Sequence, residues 1–207
     1  MLNNIKITDI TRTKKGFNAL FADDEFLFSV DDVVLYRNNI QIGSCFTQQE
    51  LACISKQSLD AKAVDKAYTY LAARMHSGKE LYDKLLRKFD AENARYAVDK
   101  MKELGLVDDA AFAQAKAEYL LNVKKQSLSA IKVKLSALGI DKYIIDSVLL
   151  SFELDNQIDD ISRLIQTKYR SRLSSPDKVI ASLLRKGFKY GDIKRALNNL
   201  NIDLQEY

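Results

Sequence analysis

The side chains best placed to do chemistry in this chain are basic, and they recur in clusters. Lys84, Arg87 and Lys88 fall together, with Arg74 upstream. Lys124 and Lys125 are followed by Lys132 and Lys134. Arg170 and Arg172 follow Arg163 and Lys168 with no acid between them. Arg185, Lys186, Lys189, Lys194 and Arg195 crowd around a single acid, Asp192. Groups of this kind neutralise phosphates or carboxylates, and binding through phosphates weakens as salt rises. Part of Arg87-Lys88 and Arg185-Lys186 is explained by the helix dipole, which favours cations at a helix C-terminus. Their recurrence at matching places along the chain argues for one basic stripe, facing either nucleic acid or an acidic protein surface.

No catalytic set accompanies them. His76 is the only histidine, and a Ser-His or Cys-His mechanism needs it to meet both a nucleophile and an orienting acid. The reading favoured here is a solvated turn residue. Cys45 and Cys53 lack the spacing and companion histidines of a zinc site and read as small buried hydrophobes in a reducing cytosol. Asp108-Asp109 and Asp159-Asp160 stand at helix starts, where carboxylates cap free N–H groups, so capping is preferred to metal binding. No Gly-rich phosphate loop exists. The chain is therefore expected to have no cofactor, no metal and no enzymatic activity.

The elements that position the basic clusters come from a repeated segment. From Ser77, Ser127 and Ser175, apolar residues follow at the fourth and eighth positions, with a stop at the twelfth. They are Leu81, Leu85 and Phe89; Ile131, Leu135 and Gly139; Val179, Leu183 and Gly187. A repeat of this length points to stacked helical modules that present a surface to a large partner. The fold class expected is mainly α, with three tandem three-helix, helix-turn-helix-like repeats in an elongated array and a small β-rich N-terminal extension. The divisions are 1–46 for the extension, 47–106 for the first module with its leading helix, 107–153 for the second and 154–207 for the third.

Composition agrees. One proline and seven glycines in 207 residues favour helices. Residues 1–60 carry 6 Lys/Arg and 8 Asp/Glu, whereas 61–207 carry 26 and 20, so the helical part is the basic part. No apolar run approaches the ~18–20 residues of a membrane span. Period-two apolarity over Ile5–Ile10, Phe17–Phe21 and Phe26–Val30, broken at Lys15-Gly16 and Asp23-Asp24, predicts a small antiparallel meander. Val33–Tyr36 reads as a further strand. Thr47-x-x-Glu50 is a capping box opening a short helix to about Lys56. A second helix follows the polar stretch Gln57–Asp60 and runs from Ala61 to Met75. Ser77-x-x-Glu80 is another capping box. Asp90 and Asp141 cap later helices, and Ser175-Pro176 reads as an N-cap followed by proline at the first helical position.

Specific residues also resemble a known family. Tyr70-Leu71-Ala72-Ala73-Arg74-Met75-His76-Ser77-Gly78-Lys79-Glu80-Leu81, followed by Leu85 and Lys88, resembles the signature of the RecX regulatory proteins. Leu104-Gly105-Leu106-Val107-Asp108-Asp109 with Phe112-Ala113, and Leu135 to Gly139-Ile140, are similar to later motifs of that family. The likeness covers residues 61–200. It departs at Phe89, where the family has a turn glycine, and at Asn122–Ser127, where Lys124 and Lys125 keep the basic character of an Arg-x-x-x-x-Gly element. The resemblance implies three three-helix repeats, no enzymatic activity, a cytoplasmic location, and binding to the RecA recombinase filament with modulation of its ATPase and strand exchange. The chain is expected to be a monomer. Direct binding of DNA, single- or double-stranded, through its helix-turn-helix-like modules is the alternative expectation. An adaptor for an acidic protein is a third.

Overall fold

In a computed structural model, residues 4–152, 157–173 and 175–202 are described. The chain divides into two compact units, parting between Val107 and Asp108. In the first unit, strands β2 (Asp9–Arg12), β3 (Asn18–Ala22) and β4 (Glu25–Val30) form an antiparallel sheet in that order. β1 (Ile5–Lys6) pairs with β5 (Cys45–Phe46). The β3–β4 turn places both Asp23 and Asp24 at positive φ, 48° and 67°, the geometry that matches the twist of a two-residue hairpin.

Val33–Tyr36 is not a strand. It lies in helix α1 (Asp32–Arg37), because the Asp31 side chain caps the Val34 N–H and only Val34 is needed inside. Nor are there two helices around Gln57–Asp60. A single 26-residue helix, α2 (Gln48–Ala73), runs through them behind the expected Thr47–Glu50 capping box. Tertiary partners keep the polar stretch helical. Ser58 Oγ donates to the Ser29 carbonyl at 2.6 Å, Gln57 Oε1 accepts from Asn38 at 2.9 Å, and Asp60 accepts from Asn93 at 2.8 Å. Lys62 adds bonds to Ser29 and lies over the Phe17 ring.

α2 consequently serves two cores. Leu51 and Ile54 close the one formed with Ile7, Leu20, Val30 and Ile40. Ala63 and Ala67 join that of the first module, with Leu81 and Leu85 from α3 (Gly78–Leu85) and Ala94, Ala97 and Met101 from α4 (Ala91–Glu103). Both cysteines are exposed rather than buried. Cys53 lies on the face of α2 away from Leu51 and Ile54, and Cys45 sits on the two-residue strand β5.

The second unit holds two more three-helix sets. α5 (Asp109–Glu118) continues through one π-helical stretch, Tyr119–Val123, and is followed by α6 (Leu128–Ala137) and α7 (Lys142–Leu150). Their core contains Phe112, Ala117, Ile131, Leu135, Ile145 and Leu149. α8 (Gln157–Lys168), a 3-10 turn at Arg170–Arg172, α9 (Pro176–Arg185) and α10 (Tyr190–Asn199) enclose Ile161, Ile165, Val179, Leu183, Ile193 and Leu197. The repeated apolar positions are thus the core positions of each set.

The expected caps form. Ser77, Asp90, Asp108, Ser127 and Asp141 each accept a backbone N–H at a helix start, worth about 1 kcal/mol apiece. Ser175 and Pro176 occupy the expected positions, but among the described residues the serine makes no side-chain cap bond. Gly105, Gly139 and Gly187 end their helices at positive φ, which glycine adopts without steric cost.

A candidate anion-binding surface

The basic residues fall into two chemical situations. In the first module Arg74 and Lys84 have partners within the chain. Arg74 makes a two-pronged pair with Glu80, at 3.0 and 2.7 Å. His76 is not a solvated turn residue: it is 2% exposed. Its Nδ1 lies 2.8 Å from the Arg74 carbonyl and its Nε2 lies 2.7 Å from Lys84 Nζ. An ammonium only donates, so Nε2 accepts from Lys84 and Nδ1–H donates to Arg74. The ring is therefore neutral, and burial, foremost, holds its pKa below the usual histidine value, with the Arg74 and Lys84 charges adding to the effect. Lys84 also lies over the Tyr70 ring, with Lys66 on the same ring. Arg87 and Lys88 are exposed beyond the end of α3.

The meeting of the second and third helix sets is different. Ser127, the N-cap of α6, donates its N–H to the Lys186 carbonyl at 3.0 Å and its hydroxyl to the Gly187 carbonyl at 2.6 Å. Gly187 packs so closely that a Cβ there would stand 2.6 Å from Ala130 Cβ and 2.7 Å from Ser127 Oγ. The Lys186 ammonium crosses to donate to the Lys124 carbonyl. The charges of Lys168, Lys124 and Lys134 all bear on it, and with burial, the larger cause, they push its pKa down. Lys124 in turn lies 5.5 Å from the centre of the Tyr119 ring, on which Lys116 also rests. Among the described residues, no carboxylate pairs with Lys124, Lys134, Lys168 or Lys186.

The structure thus seats Lys186 on Lys124, and the charges of Lys134 and Lys168 act on it; the sequence placed Lys168 in a cluster but gave it no site role. Its signal was its place as the last residue of α8, matching the basic ends of α6 and α9. Lys132 is engaged elsewhere, 2.6 Å from Asp146. Lys125 sits at φ 53° and lines a cleft of about 390 Å³ with Gln126, Phe152, Arg163, Thr167 and Phe188. Among the described residues Gln126 Oε1 is buried there without a hydrogen-bond donor, which costs roughly 1–3 kcal/mol. Arg170, Arg172, Arg185, Lys189, Lys194 and Arg195 are all exposed. Among the described residues no group of three His, Cys, Asp or Glu side chains is placed to hold a metal. No described helix is long and apolar enough to cross a membrane.

The fold defines a helical protein built of three-helix sets, and sequence comparison agrees with that class. Residues 63–101 match the family model for the first three-helix domain of RecX, and 108–149 that for the second. Regulatory protein RecX of Clostridium tetani is 28% identical over 97% of this chain and 98% of its own length. That of Clostridioides difficile gives the same identity and coverage. A crystal structure of regulatory protein RecX shares the fold, with a TM-score of 0.70, 24% identity, and coverage of 94% of this chain and 99% of that one. RecX from Lactobacillus salivarius gives 0.57 at 26% identity, over 70% and 98%. The chain thus carries two segments that match RecX three-helix domains and is similar along nearly its whole length to proteins named regulatory protein RecX.

Proposed function

We propose that this chain is a non-catalytic regulator that binds the RecA recombinase–DNA filament and lowers its ATPase and strand-exchange activity. It acts as a monomer in the cytoplasm, each three-helix module (47–106, 107–153, 154–207) adding its own contact. Similarity to regulatory proteins of the RecX family supports a regulatory role. The observation that carries the choice of partner is the lysine group at the meeting of the second and third modules, which has no carboxylate among the described residues. A nucleoprotein polymer offers phosphates to such a group, and it repeats, so that individually weak contacts add by multivalency. The absence of a catalytic set in the sequence fits an action through binding alone.

The test is RecA ATPase on single-stranded DNA, and strand exchange, titrated with the full chain. Inhibition is expected at less than one chain per RecA. Unchanged activity at equimolar chain overturns the reading. A second reading, direct DNA binding, is favoured by the half-exposed Tyr119 lying between Lys116 and Lys124, since aromatic rings flanked by cations suit unpaired bases. It requires DNA affinity without RecA that falls steeply with salt.

A further inference from the structure

We infer that His76 is a proton-operated clasp on Lys84: the neutral ring holds the lysine against the turn between α2 and α3, and protonation of the ring releases it beside Arg87 and Lys88. The ring is buried, and both of its nitrogens are committed. Nδ1–H donates to the Arg74 carbonyl at 2.8 Å, and Nε2 accepts from Lys84 Nζ at 2.7 Å. A histidine that gains a proton donates from both nitrogens, and an ammonium has no lone pair to receive it. Nε2–H would then face Lys84 with hydrogens on both sides and two like charges in contact. The bond that closes the clasp thus exists only while the ring is neutral.

The surroundings decide which partner moves. The ring keeps its bond to the Arg74 carbonyl in either state, and the Tyr70 ring lies 6.4 Å from it, centre to centre. Lys84 is half-buried on a flexible stem in the last turn of α3. Its other contact is with Tyr70, and Lys66 sits over that same ring, so the aromatic face keeps a cation when Lys84 leaves. The charged groups that act on the imidazole are Arg74 from the end of α2 and Lys84 and Glu80 from α3. Glu80, the acid among them, has both oxygens on Arg74. Burial above all favours the neutral ring, and the two cations add to it, against the Arg74 carbonyl and Glu80. The clasp is therefore closed above the ordinary histidine range and opens as pH falls through the folded value. Once open, it sets Lys84 near the exposed Arg87 and Lys88, so the end of α3 offers three cations in place of two. The switch stands on the first module alone; only its effect on a polyanionic partner rests on the filament reading, and the test contains no partner.

The full chain, labelled with 15N and 13C, is followed by NMR from about pH 8 to about pH 5, across the histidine range. Above the transition His76 should show the Nδ1–H tautomer. The Lys84 Nζ protons should exchange with water about tenfold or more faster below it, as a charge-assisted bond is lost. The Lys84 change and the His76 titration should share one midpoint. Lys84 protons that exchange alike at both ends, or that change at a different midpoint, overturn the clasp. The amides of Leu81 and Leu85 should stay protected throughout, and their loss at that same midpoint overturns it as well, since the module would then be unfolding. In His76→Gln, whose side-chain oxygen accepts but does not titrate, Lys84 should stay protected in acid, and release at the parent's pH overturns the role of the ring. The titration of the unaltered chain decides the matter even where that variant fails to fold.

Discussion

Ser77 and Ser127 open equivalent helices, yet their surroundings use charge in opposite ways. Around Ser77, Arg74 is paired with Glu80 and Lys84 donates to a neutral His76, so both side chains are held within the module. Around Ser127, the serine bonds to Lys186 and Gly187 of the next module, and four lysines gather with no described carboxylate. One cap closes a module and the other joins two. The difference teaches that a repeated local motif fixes the helix start, while its neighbours decide whether the basic residues beside it are structural or available to a partner.

The sharpest way to break the comparison is at glycine. Gly105 and Gly187 both have positive φ, but only Gly187 has neighbours within 4 Å of a built Cβ. Gly105→Ala should cost about 1–2 kcal/mol for the backbone alone. Gly187→Ala should lose roughly 1–3 kcal/mol more, from overpacking against Ala130 and Ser127. Urea unfolding measures both, and equal losses would show that the junction is loose.

Charge reversal comes next. Lys134→Glu with Lys168→Glu should weaken inhibition of RecA ATPase about tenfold, whereas Arg87→Glu with Lys88→Glu in the first module should have a smaller effect. Equal losses would mean that net charge, and not the junction, meets the filament. The serines give a finer contrast. Ser77→Ala should cost about 1 kcal/mol for the cap. Ser127→Ala should cost about 1 kcal/mol beyond that, because the Gly187 carbonyl loses its hydroxyl donor.

The smallest contrast is in pH. The His76 pKa is lower in the folded chain than the unfolded value of 6.5, so the unfolded chain binds the extra proton more readily. The stability it contributes is complete above 6.5 and is lost as pH falls through the folded value. Acid should therefore loosen the first module, and His76→Gln should flatten that slope between pH 7 and 5 in thermal melts. Lys186 is also depressed, from 10.5, so the junction should tighten as pH climbs toward 10.5. An acid-labile junction with a pH-insensitive first module would reverse the comparison.

Much of this was legible in the chain. Thr47, Ser77, Asp90, Asp108, Ser127 and Asp141 announced helix starts, and the apolar residues at every fourth place announced the cores, because capping and amphipathicity act over one or two turns. Residues whose state depends on distant partners were not legible. Val33–Tyr36 is a short apolar run of the kind strands use, but it is helical under its Asp31 cap. Gln57–Asp60 looks like a break, yet it stays helical because β4, α1 and α4 supply its partners. His76 seemed solvated until α3 brought Lys84 over it.

By itself, then, the sequence determined where helices begin and end, which faces are apolar and that the repeats carry basic residues, all properties of neighbours a few positions apart. Only the tertiary structure decided which lysines meet. Lys124 and Lys186 are 62 positions apart, and what brings them together is the close approach that a missing side chain at Gly187 allows.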